Sequence, residues 1–350
     1  MLFDNFISSE VINKALFYVF DKLVILEVIL ESLLVIVPIL LTVAFFTLFE
    51  RKLMSSVQRR RGPNVVGFWG LLQPIADGLK LIVKEFIIPR RSVSAVFIFS
   101  PIWTFTASFT AWSIIPFNFS ENFSDLTYGI LALLALSGLG VFGIILSGWS
   151  SNTHYALLGS LRSAAQLISY EISFSLTILP VIIWSNSFNL VNIINSQVDY
   201  YELWYCIPFL PFAFIFFVSI LAETNRTPFD LPEAEAELVA GFNVEYSSTP
   251  FALFFLAEYS SILVMSCLFA ILFFGGWGMP FFFESSFWLI FKTLVVCFFF
   301  VLVRAALPRY RYDQLMSLCW QIFLPISFGF FHFFFGVKVL ADTFFYLNFK

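Results

Sequence analysis

The chain has 350 residues, 60% of them hydrophobic and only 12% charged, with a formal net charge of −4. Soluble domains run nearer roughly 45–50% apolar and about 25% charged, so a water-soluble globule is excluded and an integral membrane protein is indicated. The small negative charge gives no case for a nucleic-acid partner. The 50 phenylalanines are far above ordinary usage. U-rich Phe codons in an AT-rich genome account for them more simply than a function does.

From the N-terminus, residues 1–22 mix polar and apolar types. They lack the basic start and small-residue cleavage site of a signal peptide and the Arg-rich character of a transit peptide. Eight apolar segments come next, at roughly 23–49, 93–117, 128–149, 164–184, 203–222, 250–274, 287–303 and 318–340. Each is expected to be a helix, because a segment that crosses lipid alone must satisfy its own backbone hydrogen bonds. The expected fold is all-α: one membrane domain over residues 1–350, with eight transmembrane helices. The four cysteines lie singly in apolar runs, and two histidines are too few to ligate two haems. No metal site and no redox centre of its own are expected.

Basic residues set the orientation. Loops 50–92, 150–163, 223–249 and 304–317 hold 14 of the 19 lysines and arginines. That face should be the cytoplasm of a bacterium or the matrix of a mitochondrion. The other five (Lys14, Lys22, Lys292, Lys338 and Lys350) lie in tails or spans. In the first loop, Glu50-Arg51-Lys52 is followed by Arg59-Arg60-Arg61-Gly62-Pro63-Asn64, a turn signal. Residues 71–87 then repeat Leu72, Ile75, Ala76, Leu79, Ile82 and Val83 at helical spacing, with Asp77, Lys80 and Lys84 opposite. This reads as an amphipathic interfacial helix. The basic run also suits an anchor to anionic lipid heads. Gly138-Leu-Gly140-Val-Phe-Gly143 fits a dinucleotide-binding pattern, but lies inside a span and reads as close helix packing.

The fourth span contains Glu171, flanked by apolar and small residues. An intramembrane acid is a functional candidate by default. Loop 223–249 and the span after it concentrate Glu223, Asp230, Glu233, Glu235, Glu237, Glu245 and Glu258 around a single base, Arg226. Pro228 and Pro232 place a helix start near 232, with Asp230 at its favoured N-terminal end. Glu223 and Glu258 adjoin or enter apolar spans; Glu235 suits a solvated acid. The last loop sets Arg304, Arg309 and Arg311 among Tyr310, Tyr312 and Asp313, a polar pocket lining or an interfacial anchor.

Taken together, Glu50-Arg-Lys, Arg61-Gly-Pro-Asn-Val-Val-Gly67, Gly70-Leu-Leu-Gln-Pro74, Ala222-Glu-Thr-Asn-Arg-Thr-Pro-Phe-Asp230, Glu237-Leu-Val-Ala-Gly-Phe-Asn-Val-Glu-Tyr246 and Arg309-Tyr-Arg-Tyr-Asp-Gln-Leu-Met316 resemble one family. It is the quinone-module membrane subunit of respiratory complex I, the proton-pumping NADH:ubiquinone oxidoreductase. The resemblance covers residues 31–330. It departs at Phe86 and Gln321, where the family carries Pro and Lys. It implies a tilted eight-helix bundle, amphipathic helices in the matrix-side loops, and a quinone cavity shared with hydrophilic partner subunits. The implied cavity lining is Arg51, Arg60, Asp77, Arg162, Arg226, Asp230, Glu233, Arg304 and Arg309. The implied proton route is Glu171, Glu223, Glu233, Glu237, Glu245 and Glu258. Ubiquinone would be the substrate. NADH, FMN and iron–sulfur clusters would sit on partner subunits, with small membrane subunits and lipids alongside. The mitochondrial inner membrane is the expected location, with a bacterial plasma membrane as the alternative. A self-contained cation antiporter, a homologous hydrogenase subunit and a purely structural anchor remain open readings of the residues.

Overall fold

The computed structural model describes residues 9–118, 125–200, 203–230, 241–278 and 285–348. Among them there is no strand. The first described elements are α1, Ser9–Val57, and the amphipathic α2, Gln73–Val83. Next come α3 (Ser94–Thr110), α4 (Gly129–Ser151), α5 (His154–Ser185) and the short α6 (Leu190–Asn195). α7 (Leu210–Glu223), α8 (Ser248–Phe274) and α9 (Ser286–Ala306) complete the middle of the chain. α10 (Tyr312–Ser317) runs through a π turn, Leu318–Phe323, into α11, Leu324–Asn348.

Seven helices among the described residues are long and apolar enough to cross a membrane, one fewer than expected. The exception is the segment expected at 203–222. Its regular helix begins only at Leu210 and has 14 residues, which at about 1.5 Å each falls short of a hydrocarbon core about 30 Å thick. Pro208 lies just before this helix and Pro211 in its first turn, where proline is tolerated, and residues 205–209 form turns. Two other boundaries also move. α1 continues past residue 49 to Val57, so the basic loop starts inside a helix. α5 starts at His154, ten residues before the expected 164, and the loop expected at 150–163 shrinks to a left-handed turn at Asn152 with φ 53°. A helix protruding from lipid keeps its hydrogen bonds while its sequence turns polar, so hydropathy underestimates its length. The helix start expected near 232 lies outside the described residues.

α5 and α8 are the most enclosed spans, and α1 and α11 the least. α5 packs on α4, α7 and α11; α8 packs on α3, α9 and α1. Phenylalanines join these layers. Phe174 stacks on Phe216 at 4.8 Å, Phe216 meets Phe273 at 5.2 Å, and Phe209 meets Phe334 at 4.8 Å. In lipid such packing supplies association that the hydrophobic effect cannot. Gly143 brings α4 against α3, where an added Cβ would lie 2.2 Å from Thr104. Gly138 faces the Glu171 side chain and Gly140 open space, so within the Gly-x-Gly-x-x-Gly pattern it is Gly143 that close helix contact requires.

α2 forms where its periodicity places it, and no residue of it is buried. Leu72, Ile75, Leu79 and Ile82 remain open to the surroundings, each more than half exposed. The helix ends at Val83 with Phe86, not proline, beyond it. Ser248 Oγ contacts the carbonyls of Leu81, at 3.1 Å, and Lys84, at 2.7 Å. The basic-face loops are sewn to one another. Val93 N donates to Ser150 O at 3.0 Å and Tyr310 N to Pro228 O at 3.0 Å.

Candidate functional site

Past α7 the chain turns sharply, with Asn225 at φ 49° and Arg226 N donating to Leu221 O at 3.2 Å. Gln166, fully buried on α5, staples both sides of this turn. Its Nε2 donates to Ala222 O at 2.9 Å and Phe229 O at 3.0 Å. Phe229 stacks on Tyr310 at 5.7 Å and tilts against Tyr170 at 5.8 Å. The result pushes Arg226 into the bundle, where it is 7% exposed.

There Arg226 meets side chains from two helices distant in sequence. Its Nη1 lies 3.3 Å from Glu50 Oε1 on α1, and its Nε 2.9 Å from Glu258 Oε1 on α8. The guanidinium covers the Tyr259 ring at 4.4 Å, and the Tyr259 hydroxyl donates to Glu50 Oε2 at 2.7 Å. Arg304, in the last turn of α9, pairs with the same Glu50 oxygen that Arg226 uses. Two carboxylates and two guanidiniums make this cluster electrically neutral. Burial works against the Arg226 charge, but Glu258 and Glu50 outweigh it and hold the group above its usual pKa.

Glu258 also borders a cavity of about 150 Å³, together with Glu223, Thr224, Asn225, Asn243 and Ser261. Buried Glu223 Oε2, Asn225 Oδ1 and Asn243 Oδ1 have no hydrogen-bond partner among the described residues. Most of the remaining wall is apolar, including Leu133, Ile144, Met265 and Leu268, so these groups mark the part of it where ordered water can bond. Glu171 is not among the lining residues. Its carboxylate rests on α4, where a Cβ on Gly138 would approach Oε1 to 3.0 Å, and it interacts with Glu223 as a like charge. Glu245 is half-buried beside Tyr246. The Tyr246 hydroxyl is 2.8 Å from Ser100 Oγ and its ring stacks on Phe97 at 4.1 Å. Gly241, at φ 58°, lets this loop cross α5 at Gly159, where a Cβ would lie 2.7 Å from the Gly241 backbone.

The other expected cavity residues divide. Asp230 is buried and accepts from Arg309 Nη2 at 3.0 Å. Burial raises its carboxyl above the usual range, and Arg309 opposes the rise. Arg51 and Asp77 form their own 2.7 Å pair between α1 and α2, with Gln73 also donating to Asp77 at 2.9 Å. Arg60 is exposed and donates to Gln58. Arg162 lies 6.0 Å from the Tyr312 ring. Glu233, Glu235 and Glu237 lie outside the described residues.

Residues 30–335 match the family described as NADH dehydrogenase. The chain belongs to this family. It is 50% identical over 347 residues to NADH-ubiquinone oxidoreductase chain 1 of Cyanidium caldarium, covering 97% of this chain and 99% of the relative. It is 51% identical over 308 residues to the chain 1 protein of Chondrus crispus, 86% of this chain and 94% of that one. It is 54% identical over 303 residues to the chain 1 protein of Arabidopsis thaliana, 85% and 92% of the two chains.

Within this family fold, the structure brings forward three residues that the sequence analysis did not select. Glu50 joins both arginines, Tyr259 orients Glu50, and Gln166 holds the turn that buries Arg226. Glu50 carried a signal: it directly follows an apolar run. Gln166 and Tyr259 carried none, since each sits in a helix among ordinary neighbours.

Proposed function

We propose that this chain is the membrane subunit of a proton-pumping NADH:ubiquinone oxidoreductase, working in the mitochondrial inner membrane. Its basic-face loops wall a quinone cavity, and its buried acids carry the response to quinone reduction toward proton-pumping partners. The chain binds no cofactor of its own in this reading. Ubiquinone is the substrate, and electrons arrive from an iron–sulfur cluster on a hydrophilic partner that itself receives them from NADH and FMN. The supporting observation is Arg226. One guanidinium touches Glu50 on the loop side and Glu258 on the cavity side.

The chemistry follows from charge balance. The neutral cluster becomes positive by one charge when Glu258 takes a proton. An anionic head group at the loop face favours that state, and the proton in turn favours the anion, because coupling between two sites is reciprocal. At low effective dielectric such interactions are strong. Asp230 and Arg309 provide a second buried pair beside the same loop.

Replacement of Glu223 or Glu258 by Gln tests this in membranes carrying the assembled complex. NADH oxidation with a short-chain quinone and acidification by a pH-sensitive dye are followed together. Proton translocation per electron should fall by more than half while assembly persists. An unchanged ratio in both variants would remove these acids from the route.

A further inference from the structure

Lys292 takes no part in the proposed proton route, yet it is a charged residue in the middle of an apolar helix. It is 5% exposed on α9. No carboxylate among the described residues pairs with it; instead its ammonium donates to three backbone carbonyls. Nζ is 2.6 Å from Phe274 O, 2.8 Å from Gly276 O and 2.5 Å from Gly278 O. These use all three ammonium protons. The face of Trp204 lies 5.0 Å away, a cation–π distance.

The carbonyls converge because α8 ends there. Gly275 at φ 70° and Gly276 at φ 53° reverse the chain, a conformation that a Cβ disfavours. A Cβ on Gly276 would come within 2.7 Å of Ile194, and one on Gly278 within 2.0 Å of Val198. The preceding carbonyls of α8 are already satisfied. Ala270 O accepts from Gly276 N, Ile271 O and Leu272 O from Gln197 Nε2, and Phe273 O from Cys206 N. Among the described residues Lys292 is the donor to the carbonyls of 274, 276 and 278, the first of them at the negative end of the α8 dipole. The arrangement is that of an oxygen-lined monovalent-cation site, with the ion covalently tethered. A parallel occurs at α5. Lys338 donates to Ile183 O, to Trp184 O at 3.4 Å and to Asn186 Oδ1 at 2.6 Å, where that helix ends.

We propose that the outer end of α8 is a monovalent-cation site of primary-ammonium type, which this chain fills with Lys292. By anchoring that end, Lys292 is a positioning residue for Glu258 on the same helix. This second role rests on the proton-route reading; the cation site does not.

The test uses the assembled complex. Lys292→Ala removes a propylammonium's worth of side chain, and Lys292→Met fills the space without charge. Both should lower the temperature of half-inactivation by roughly 3–5 °C. Added propylammonium should restore at least half of the loss in K292A and none in K292M, while choline at equal ionic strength restores neither. Restoration by choline as well, or wild-type behaviour of K292M, overturns the site. A second measurement needs no variant: reductive methylation of the native complex, read by mass spectrometry, should leave Lys292 unmodified until the protein unfolds. Modification in the folded state overturns the site too. The ratio of protons to electrons in K292A tests the positioning role. It should fall, and recover with propylammonium. An amine rescue of thermal stability with an unchanged ratio would keep the site and discard the positioning of Glu258.

Discussion

The two ends of α8 are built on opposite principles. At the outer end the orphan carbonyls from Ala270 to Phe274 each have a donor, and a buried lysine completes the set. Toward the inner half of the helix, Glu258 and Tyr259 join a cluster whose charges balance. Arg226 Nη2 in the cluster, and Asp230 Oδ1, Glu223 Oε2 and Asn225 Oδ1 close to it in sequence, are buried with no partner among the described residues. Buried polar groups that the chain itself does not pair are places where water, a proton or a ligand can bond. One end of the helix is fastened and the other is left able to respond.

This contrast can be broken most severely at Arg226. Arg226→Gln leaves Glu50 and Glu258 without their shared partner, and breaking a buried pair costs about 3–5 kcal/mol. The amount of assembled complex and its quinone reductase rate should both fall at least tenfold, measured on a native gel and by NADH oxidation. Retention of normal assembly and rate would mean that the cluster is peripheral. Glu50→Gln is the milder form: it keeps the shape but leaves the cluster one positive charge in excess. Half or more of the reductase rate should be lost with assembly retained.

Tyr259→Phe removes one hydrogen bond to a carboxylate, a contribution of about 1.5–3 kcal/mol. Its effect on rate should be smaller than that of E50Q and should vanish in an E50Q background, because the two groups act on one contact. Additive losses in the double variant would separate them.

At Asp230 the response is a pH shift. Arg309 holds the carboxyl down against burial, so Arg309→Gln should let Asp230 take its proton at a higher pH. The acid limb of the pH–rate profile should therefore move upward in R309Q and stay put in R309K. A downward move would contradict the pairing. The smallest effect belongs to Arg311, whose pair with Asp313 is about three-quarters exposed on both sides. Arg311→Ala should change thermal inactivation by less than about 0.5 kcal/mol in equivalent stability.

Much of the architecture was legible because lipid permits few solutions. A run of about twenty apolar residues has to be a helix, and the period of Leu72, Ile75, Leu79 and Ile82 could only be an amphipathic one. The segment at 203–222 reads as a full span because hydropathy counts composition, while the turns at 205–209 leave regular helix only from Leu210. The site was legible only in part. Arg226, Asp230, Glu258, Arg304 and Arg309 stood out as charges in an apolar chain. Glu50 showed only as a charge ending an apolar run and Tyr259 not at all, since their importance lies in whom they meet. Lys292 was visible as a lone base in a span, but nothing in the sequence showed three carbonyls closing on it.

The amino-acid sequence by itself determined the solvent this protein lives in, its helical class, and the face on which its charges gather, because these depend on composition and short periods. Only the tertiary structure decided which charges are partners. Glu50 and Arg226 are 176 residues apart, and Glu50 and Arg304 are 254 apart. Pairing at such separations is set by helix packing across the bundle, which no local pattern encodes.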